Sequence, residues 1–534
     1  MTVPVCTSCR CTTRFRWLLP LLGLILAFLP ATPSSEARTL PQDRWPSCSD
    51  QSAIQKISFV HVSDIHARYN PDADGSNPMG RIRGYYLQVK KENPFTIFTD
   101  AGDDYEKGSV AEELSRGQST REVVEAMRYD VRTLGNHDFS WGIEEMLRFS
   151  HDPTAVVVAT NTAMERNFRQ PPRSMAPGWS DFTILTVGCV KIGFFGLVSR
   201  PWNEENRQYD GLYYPGIPAL RTDFHFIDRA REIIAKHRRE VDLLVLISHL
   251  GLPDDIILAE QTKGIDLILG GHSHTTMERP LRVKATTLVH TGAFGRTVGR
   301  IDLDYDVGKK TIVDSSYTLV ANHPGDLPED LAASRTISRI VHKYEPQMHE
   351  TITKVGRDQD KQAMALIAAH AAVARLKTDA ALITLGTVGP EWRQGRLTRQ
   401  DILDGFKVER QPAGTPGQSS LYVLEVKGAD LLYAAAAMTD SVFLGPSVIH
   451  PRASYSLAIQ KAQAFNQREL LGRMIGISAP KPAGELWETV AAYAHDRREE
   501  GLSLDDGVHK RRVDNLVALL QGENDPARAT EKIR

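Results

Sequence analysis

The sequence predicts an α/β protein in which apolar strands are covered by helices. Short apolar runs recur at Ile57–Val62, Phe95–Thr99, Val156–Ala159, Ile192–Val198, Leu243–Ile247 and Ile265–Leu269. They are apolar without alternation, as strands buried on both faces are. Helix-like stretches separate them. The clearest runs from Asp223 to Glu240, with Asp223 as its expected N-cap and basic residues gathering towards its end. Pro71, Gly75, Pro78 and Gly80 read as one long loop after the first strand.

A polar, Pro-bearing passage, Ala321-Asn322-His323-Pro324-Gly325, closes this half, and the charged stretch from Pro328 to Lys354 reads as mostly helical. Beyond Gly356 come separate core candidates: Ala381–Ile383, Leu421–Val426, the Ala-rich Leu431–Met438 and a helix over Glu485–Arg498. At 534 residues the chain exceeds one ordinary core. The expected organisation is therefore a first domain over 53–320, a linker helix over 321–355 and a second, smaller domain over 356–534.

Composition narrows the class. Hydrophobic residues are 41% and charged residues 24%, with a formal net charge of -2, so the basic footprint of a nucleic-acid-polymer binder is missing. The cluster His509-Lys510-Arg511-Arg512 reads as a solvated helix face. Near the start, Arg10, Arg14 and Arg16 precede the apolar run Trp17–Leu29, and Ser35-Glu36-Ala37 follows with small residues. That order is a secretory signal over 1–37, followed by a short linker over 38–52. The run falls short of the roughly twenty residues that a spanning helix needs, so export to the periplasm or exterior is expected, without stable membrane insertion. Cys6, Cys9 and Cys11 belong to the signal; Cys48 and Cys189 remain. A disulfide between them suits an oxidising compartment, but the apolar setting TVGCVKIGFF favours Cys189 as a buried free thiol.

Polar residues with metal-ligand chemistry fall just beyond five apolar runs. These are Asp64-Ile65-His66, Gly102-Asp103, Asn136-His137, His249, and Gly270-Gly271-His272-Ser273-His274. Each is the C-terminal end of a predicted strand, where α/β sheets carry their ligand sites. Taken singly, each is an ordinary turn or a satisfied histidine. Five in one chain call for a common cause. Mixed Asp, His and Asn donors suit borderline divalent cations, and a carboxylate can bridge two of them. Two such cations about 3.5–4 Å apart bind phosphate oxygens and activate water. In that scheme Asn136 offers its carbonyl oxygen to a metal while the turn aims His137 at the substrate.

The series DIH, GDD, GNHD, SHLG and GGHSH resembles the calcineurin-like metallophosphoesterase superfamily, in its two-domain, exported bacterial 5′-nucleotidase branch. The resemblance implies a layered α/β/β/α sandwich with a second, smaller α/β C-terminal domain. It implies one divalent metal held by Asp64, His66 and His274, a second by Asn136, His249 and His272, and Asp103 bridging them. Zinc, manganese, iron and cobalt all suit such donors. His137 would stabilise the transition state and protonate the leaving oxygen. The substrate implied is a small phosphate ester, a monoester and potentially a 5′-nucleotide, hydrolysed by in-line attack of metal-activated water. A phosphodiesterase, a sulfur-ester hydrolase on the same scaffold and an inactive metal-bound binding protein are the alternatives.

Two departures from that branch stand out. Its turn usually reads GNHEFD, the final Asp supporting the histidine; here Ser140 occupies that position. Asp138 is adjacent to His137, but neighbouring side chains in a turn diverge. Glu106, three residues after Asp103, is the better replacement. In the C-terminal half, Ala381 to Gly389 aligns with the branch's NSGGIR-like segment, so Thr384 replaces its Asn and Gly389 its Arg. Arg393 lies nearby but out of register. Phe406 falls where the first stacking aromatic is expected, and Phe465 is the candidate for the second.

Overall fold

The computed structural model describes residues 44–49, 53–72, 74–141, 154–163, 178–199, 221–223, 225–406 and 420–508, all within one compact unit that begins at Ala37. The expected signal segment and the basic cluster at 509–512 lie outside the described residues.

The first half is built on two sheets. In spatial order, one contains Thr311–Ala321, Thr297–Asp306, Ile54–Val62, Thr96–Asp100, Val131–Arg132, Val156–Val158 and Trp179–Ser180. The other contains Leu281–Val283, Thr286–His290, Leu267–Gly270, Leu243–His249, Val190–Val198 and Thr183–Val187. The central strands of both run parallel, so their C-terminal ends gather at one rim. Ile57, Phe59, Ile97, Phe194, Val245, Ile247 and Leu269 fill the space between the sheets. The alternate residues Val60, Val62 and Phe98 meet the helices Pro78–Glu92, Gln118–Met127 and Leu331–His342 on one outer face. Phe195, Leu197, Leu244, Leu246 and Ile268 meet Phe226–His237 and Leu252–Gln261 on the other. Each central strand is therefore apolar on both sides because both sides are covered. The result is an α/β/β/α sandwich.

The C-terminal half has a mixed sheet in the order Ser441–Leu444, Ala380–Thr384, Ser454–Gln460, Leu421–Lys427 and Lys481–Gly484. Helices Lys361–Leu376 and Leu486–Glu499 pack on one face and Gly428–Ala437 on the other. The cluster that covers the outer face of the first sheet continues into this half, through Ile337, Met348, Met364 and Val490. The strand Thr351–Val355 pairs with Gly395–Thr398, so the end of the expected linker is part of the second half.

Three local expectations are corrected. Pro78 and Gly80 do not extend the loop; they open the helix Pro78–Glu92. Asn77 caps its first amides, proline is favoured at a helix's first position, and a Cβ on Gly80 would lie 1.9 Å from Ser334 Oγ. Asp223 is not the N-cap of the next helix, which starts at Phe226; it accepts from the His225 amide and pairs with Arg229. Cys189 is not a buried thiol. It follows Gly188 at the tip of the hairpin joining Thr183–Val187 to Val190–Val198, half-buried and disulfide-bonded to Cys48. The apolar neighbours that suggest burial point into the sheet from either side of that turn. With the two cysteines 141 positions apart in sequence, Cys48→Ser should lower unfolding stability by about 2–5 kcal/mol. Denaturation midpoints of wild type and variant, with and without reductant, measure it; coincident midpoints would remove the bond from the stability of the fold.

Candidate metal centre and active site

All five motifs reach the rim where the parallel strands end. Asp64 and His66 follow Ile54–Val62, and this segment is laced to the next motif by Asp64 N–H to Gly102 O (2.8 Å) and His66 N–H to Asp103 O (2.9 Å). The backbone is bent sharply here. Asp64, His66, Asp103, His272 and His274 all have positive φ, between 51° and 72°, in a region that non-glycine residues seldom occupy. Such conformations cost about 1–3 kcal/mol each and concentrate at functional sites. Close approach also dictates the glycines: a Cβ on Gly135 would lie 2.0 Å from Asp103 Oδ1.

The structure brings Asp64, His66 and His274 into one group and Asp103, His249 and His272 into another, each with its donor atoms within 4.8 Å of one another. The groups adjoin. His249 Nε2 is 3.0 Å from Asp103 Oδ2 and 4.0 Å from Asp64 Oδ1, and His66 Nε2 is 3.9 Å from Asp103 Oδ2. Asn136 stands in the turn whose next amide, His137 N–H, donates to Asp103 Oδ1 at 2.7 Å, while its own Oδ1 accepts from Ser199 Oγ.

The donor set fits a pair of divalent cations. His66 Nδ1 donates to Tyr105 O (3.0 Å), and burial, followed by the charge of Lys107, holds the ring well below its ordinary pKa. Its Nε2 therefore presents a lone pair, 3.0 Å from His274 Nε2. His274 is likewise pushed down to about 4, by burial and then Lys107. A neutral imidazole lone pair facing a second neutral imidazole, with the Asp64 carboxylate 3.5 Å from His274 Nε2, is a donor set that a divalent cation would satisfy. His249 is anchored by Nδ1 to Ala101 O (2.6 Å). Burial opposes charge on it, yet Asp103 and Asp64 drive it up to about 10, which marks a position whose field favours positive charge.

His137 lies on the flank of this centre. Its Nδ1 is hydrogen-bonded to Glu106 Oε2, and its Nε2 is 3.2 Å from Lys107 Nζ. Burial works against protonation, but the Asp103 and Glu106 carboxylates raise its pKa above the ordinary value. Asp138 does not take part. It turns away, accepting from Gly135 N–H (2.7 Å), Asp103 N–H (3.1 Å) and Asp104 N–H (2.9 Å), and so staples two loops of the centre together. Ser140 continues the 3-10 turn from His137, with its side chain buried.

Several supporting residues carried no sequence signal. Glu112, fully buried, receives Glu106 N–H, Trp141 Nε1 and Thr120 Oγ1. Arg132, also buried, is clasped by Asp100 and Asp104 behind the Asp103 turn. Gln400, from the C-terminal half, donates to Gly108 O (3.0 Å) and accepts from Val110 N–H (2.8 Å).

Beside the centre, a cavity of about 300 Å³ lies between the two halves, lined by Arg68, Glu106, Lys107, His274 and Phe294 on one side and Gly389, Pro390, Leu403, Asp404 and Phe406 on the other. Phe406 forms part of this wall, 1% exposed and braced edge-on by Trp392 at 5.6 Å. Arg393 is not brought to the cavity: its side chain is 79% exposed and paired with Asp358. Phe465 packs on Tyr422 in the C-terminal core.

Comparison with known proteins agrees with this geometry. Residues 57–276 match the calcineurin-like phosphoesterase family. A 5′-nucleotidase-related protein of Glossina morsitans morsitans is 29% identical over 42% of this chain and 41% of its own length. The 5′-nucleotidase of Bos taurus is 23% identical over 56% of this chain and 54% of its own. The chain thus spans about half the length of the curated relatives it matches. The crystal structure of a 5′-nucleotidase precursor from Thermus thermophilus superposes with a TM-score of 0.61 at 19% identity, covering 83% of this chain and 96% of that one; it has the same fold, including the C-terminal half.

Proposed function

We propose, from the premise that residues 57–276 are a calcineurin-like phosphoesterase domain, that this chain hydrolyses a phosphate monoester. It does so with two divalent cations held by Asp64, His66, Asp103, Asn136, His249, His272 and His274. The observation that carries this reading is the adjoining pair of three-residue clusters with His137 and Glu106 on their flank. When bound, the cations supply Lewis acidity to phosphate oxygens and make water nucleophilic near neutral pH.

The chain's own groups do the remainder. His137 carries a proton at Nε2 towards the leaving oxygen, and Glu106 at Nδ1 fixes the ring's orientation and supports its charge. Asp138 and Arg132 hold the turns from which Asp103 and His137 project. The C-terminal half closes over the cavity, with Phe406 in its wall, and restricts water. Export belongs to the same reading, since the Cys48–Cys189 bond is the chemistry of an oxidising compartment. Among the described residues no helix is long and apolar enough to cross a membrane.

A screen of phosphate monoesters, diesters and nucleotides against purified protein, with bound metal quantified, tests the reading. Nucleoside monophosphates head the panel because the relatives carry 5′-nucleotidase names. Inorganic phosphate released from a monoester is the expected result. Cleavage confined to diesters would replace the substrate class, and an inert protein with two metals bound would end the hydrolase reading.

A further inference from the structure

The loop after Asp103 is more constrained than a metal ligand requires. Glu106 and Lys107 are consecutive non-glycine residues at φ 69° and 67°, a pairing that an unconstrained loop avoids. The following Gly108 is pressed against the chain carrying His66, where a Cβ would lie 2.3 Å from Ala67 C and His66 O. From the other side, Gln400 grips Gly108 O and Val110 N–H. Held this way, the loop sends two opposite charges to one imidazole: the Glu106 carboxylate to Nδ1 of His137 and the Lys107 ammonium to Nε2, at 3.2 Å. Glu106 orients the ring. The Lys107 ammonium is hydrogen-bonded to Nε2 and lines the cavity that also receives His274, so its N–H donors can be turned to an anionic oxygen brought into that cavity.

Among the described residues lining the cavity, the opposite wall carries no cation. The position that aligns with an arginine in the resembling branch is Gly389, and no side chain fits there: a Cβ would be 2.1 Å from Asp404 O, and Gly389 N–H is bonded to Gly405 O at 2.8 Å. Thr384, at the aligned Asn, is absorbed in the C-terminal sheet by Gln463 and Gln460. Arg68 is drawn to Asp404 across the cavity at 3.6 Å.

We propose that Lys107 binds the phosphoryl group of the substrate, donating to an oxygen next to His137 Nε2. It thereby provides from the catalytic half the charge-assisted contact that Gly389 cannot provide from the C-terminal half. This deepens the phosphoesterase reading and rests on it. Lysine acts as a point charge with rotatable donors, whereas arginine is a planar fork, so the contact recognises phosphate without fixing the orientation of the rest of the ester.

The test is a calorimetric titration of inorganic phosphate into the metal-loaded full chain, alongside ester kinetics, for wild type, Lys107→Met and Lys107→Arg with metal content measured. Lys107→Met should weaken phosphate binding by about tenfold to a hundredfold and raise KM for the ester in step, with metal content unchanged. Lys107→Arg, which retains the charge, should recover most of the binding. Phosphate binding by Lys107→Met equal to wild type, or no phosphate binding by wild type, overturns the proposal. The two readings separate cleanly. Weakened phosphate binding in a protein that hydrolyses no ester upholds Lys107 and defeats the esterase, whereas unaltered binding in an active enzyme does the reverse.

Discussion

Asp103→Asn is expected to lower kcat/KM about a thousandfold, a loss of about 4 kcal/mol of transition-state stabilisation, and to abolish loading of a second metal equivalent. Asp103 lies between the two donor groups, with Oδ2 3.0 Å from His249 Nε2 and 3.9 Å from His66 Nε2, while Oδ1 takes the His137 amide at 2.7 Å. An amide there keeps one oxygen, which the His137 N–H can still use. The second oxygen becomes an NH2 directed at imidazole lone pairs, and the negative charge that favours a cation is gone. Burial opposes charge on Asp103, but His249 and then His137 hold its carboxyl well below the usual carboxylate range. The variant therefore also loses some stability without metal, and the comparison rests on the shift each protein shows when metal is added. Divalent metal should raise the thermal midpoint of wild type, by ligand linkage worth about 2.7 kcal/mol at a hundred times Kd, and raise that of the variant much less. Two metal equivalents in the variant with wild-type turnover would exclude Asp103 as the bridge.

The reason this residue can be named from sequence is local. Asp64, Asp103, Asn136, His249 and His272 each follow an apolar run whose strand character is plain, and parallel strands align their ends without knowledge of register. Glu106 is accessible for the same reason, lying three residues from Asp103. What escapes depends on contacts distant in sequence. Nothing near Arg132 announces that it is buried between Asp100 and Asp104. Gln400 reaches Gly108 across 292 positions, and Lys107 acquires meaning only when its loop folds back onto His137. The setting of Cys189 misleads because hydrophobic neighbours fit a hairpin tip as well as a core strand. Arg393 is suggested by chemistry alone, while the structure closes the chain at Gly389 with Asp404 O and commits Arg393 to Asp358 at the surface.

His137→Ala should reduce kcat by about a hundredfold to ten thousandfold, the range over which a positioned acid or base contributes, with KM and metal content little changed. Glu106→Gln should cost at least about tenfold, or 1.4 kcal/mol. The informative measurement is the double variant. Glu106 contacts His137 at Nδ1, so if it acts through the ring, adding Glu106→Gln to His137→Ala should cause almost no further loss. Multiplying losses would mean that Glu106 acts on its own account. The pH profile gives a second, independent sign. Against the effect of burial, Asp103 and Glu106 raise the pKa of His137, so removing the Glu106 charge lowers it. The protonated donor is then lost at a lower pH, and the alkaline limb of kcat should move to more acid values in Glu106→Gln. A neutral amide that merely packed the loop would leave that limb in place. The same variant thus separates a carboxylate acting by charge from one acting by shape, and it tests whether this chain recovered, from the Asp103 loop, the support that Ser140 cannot give.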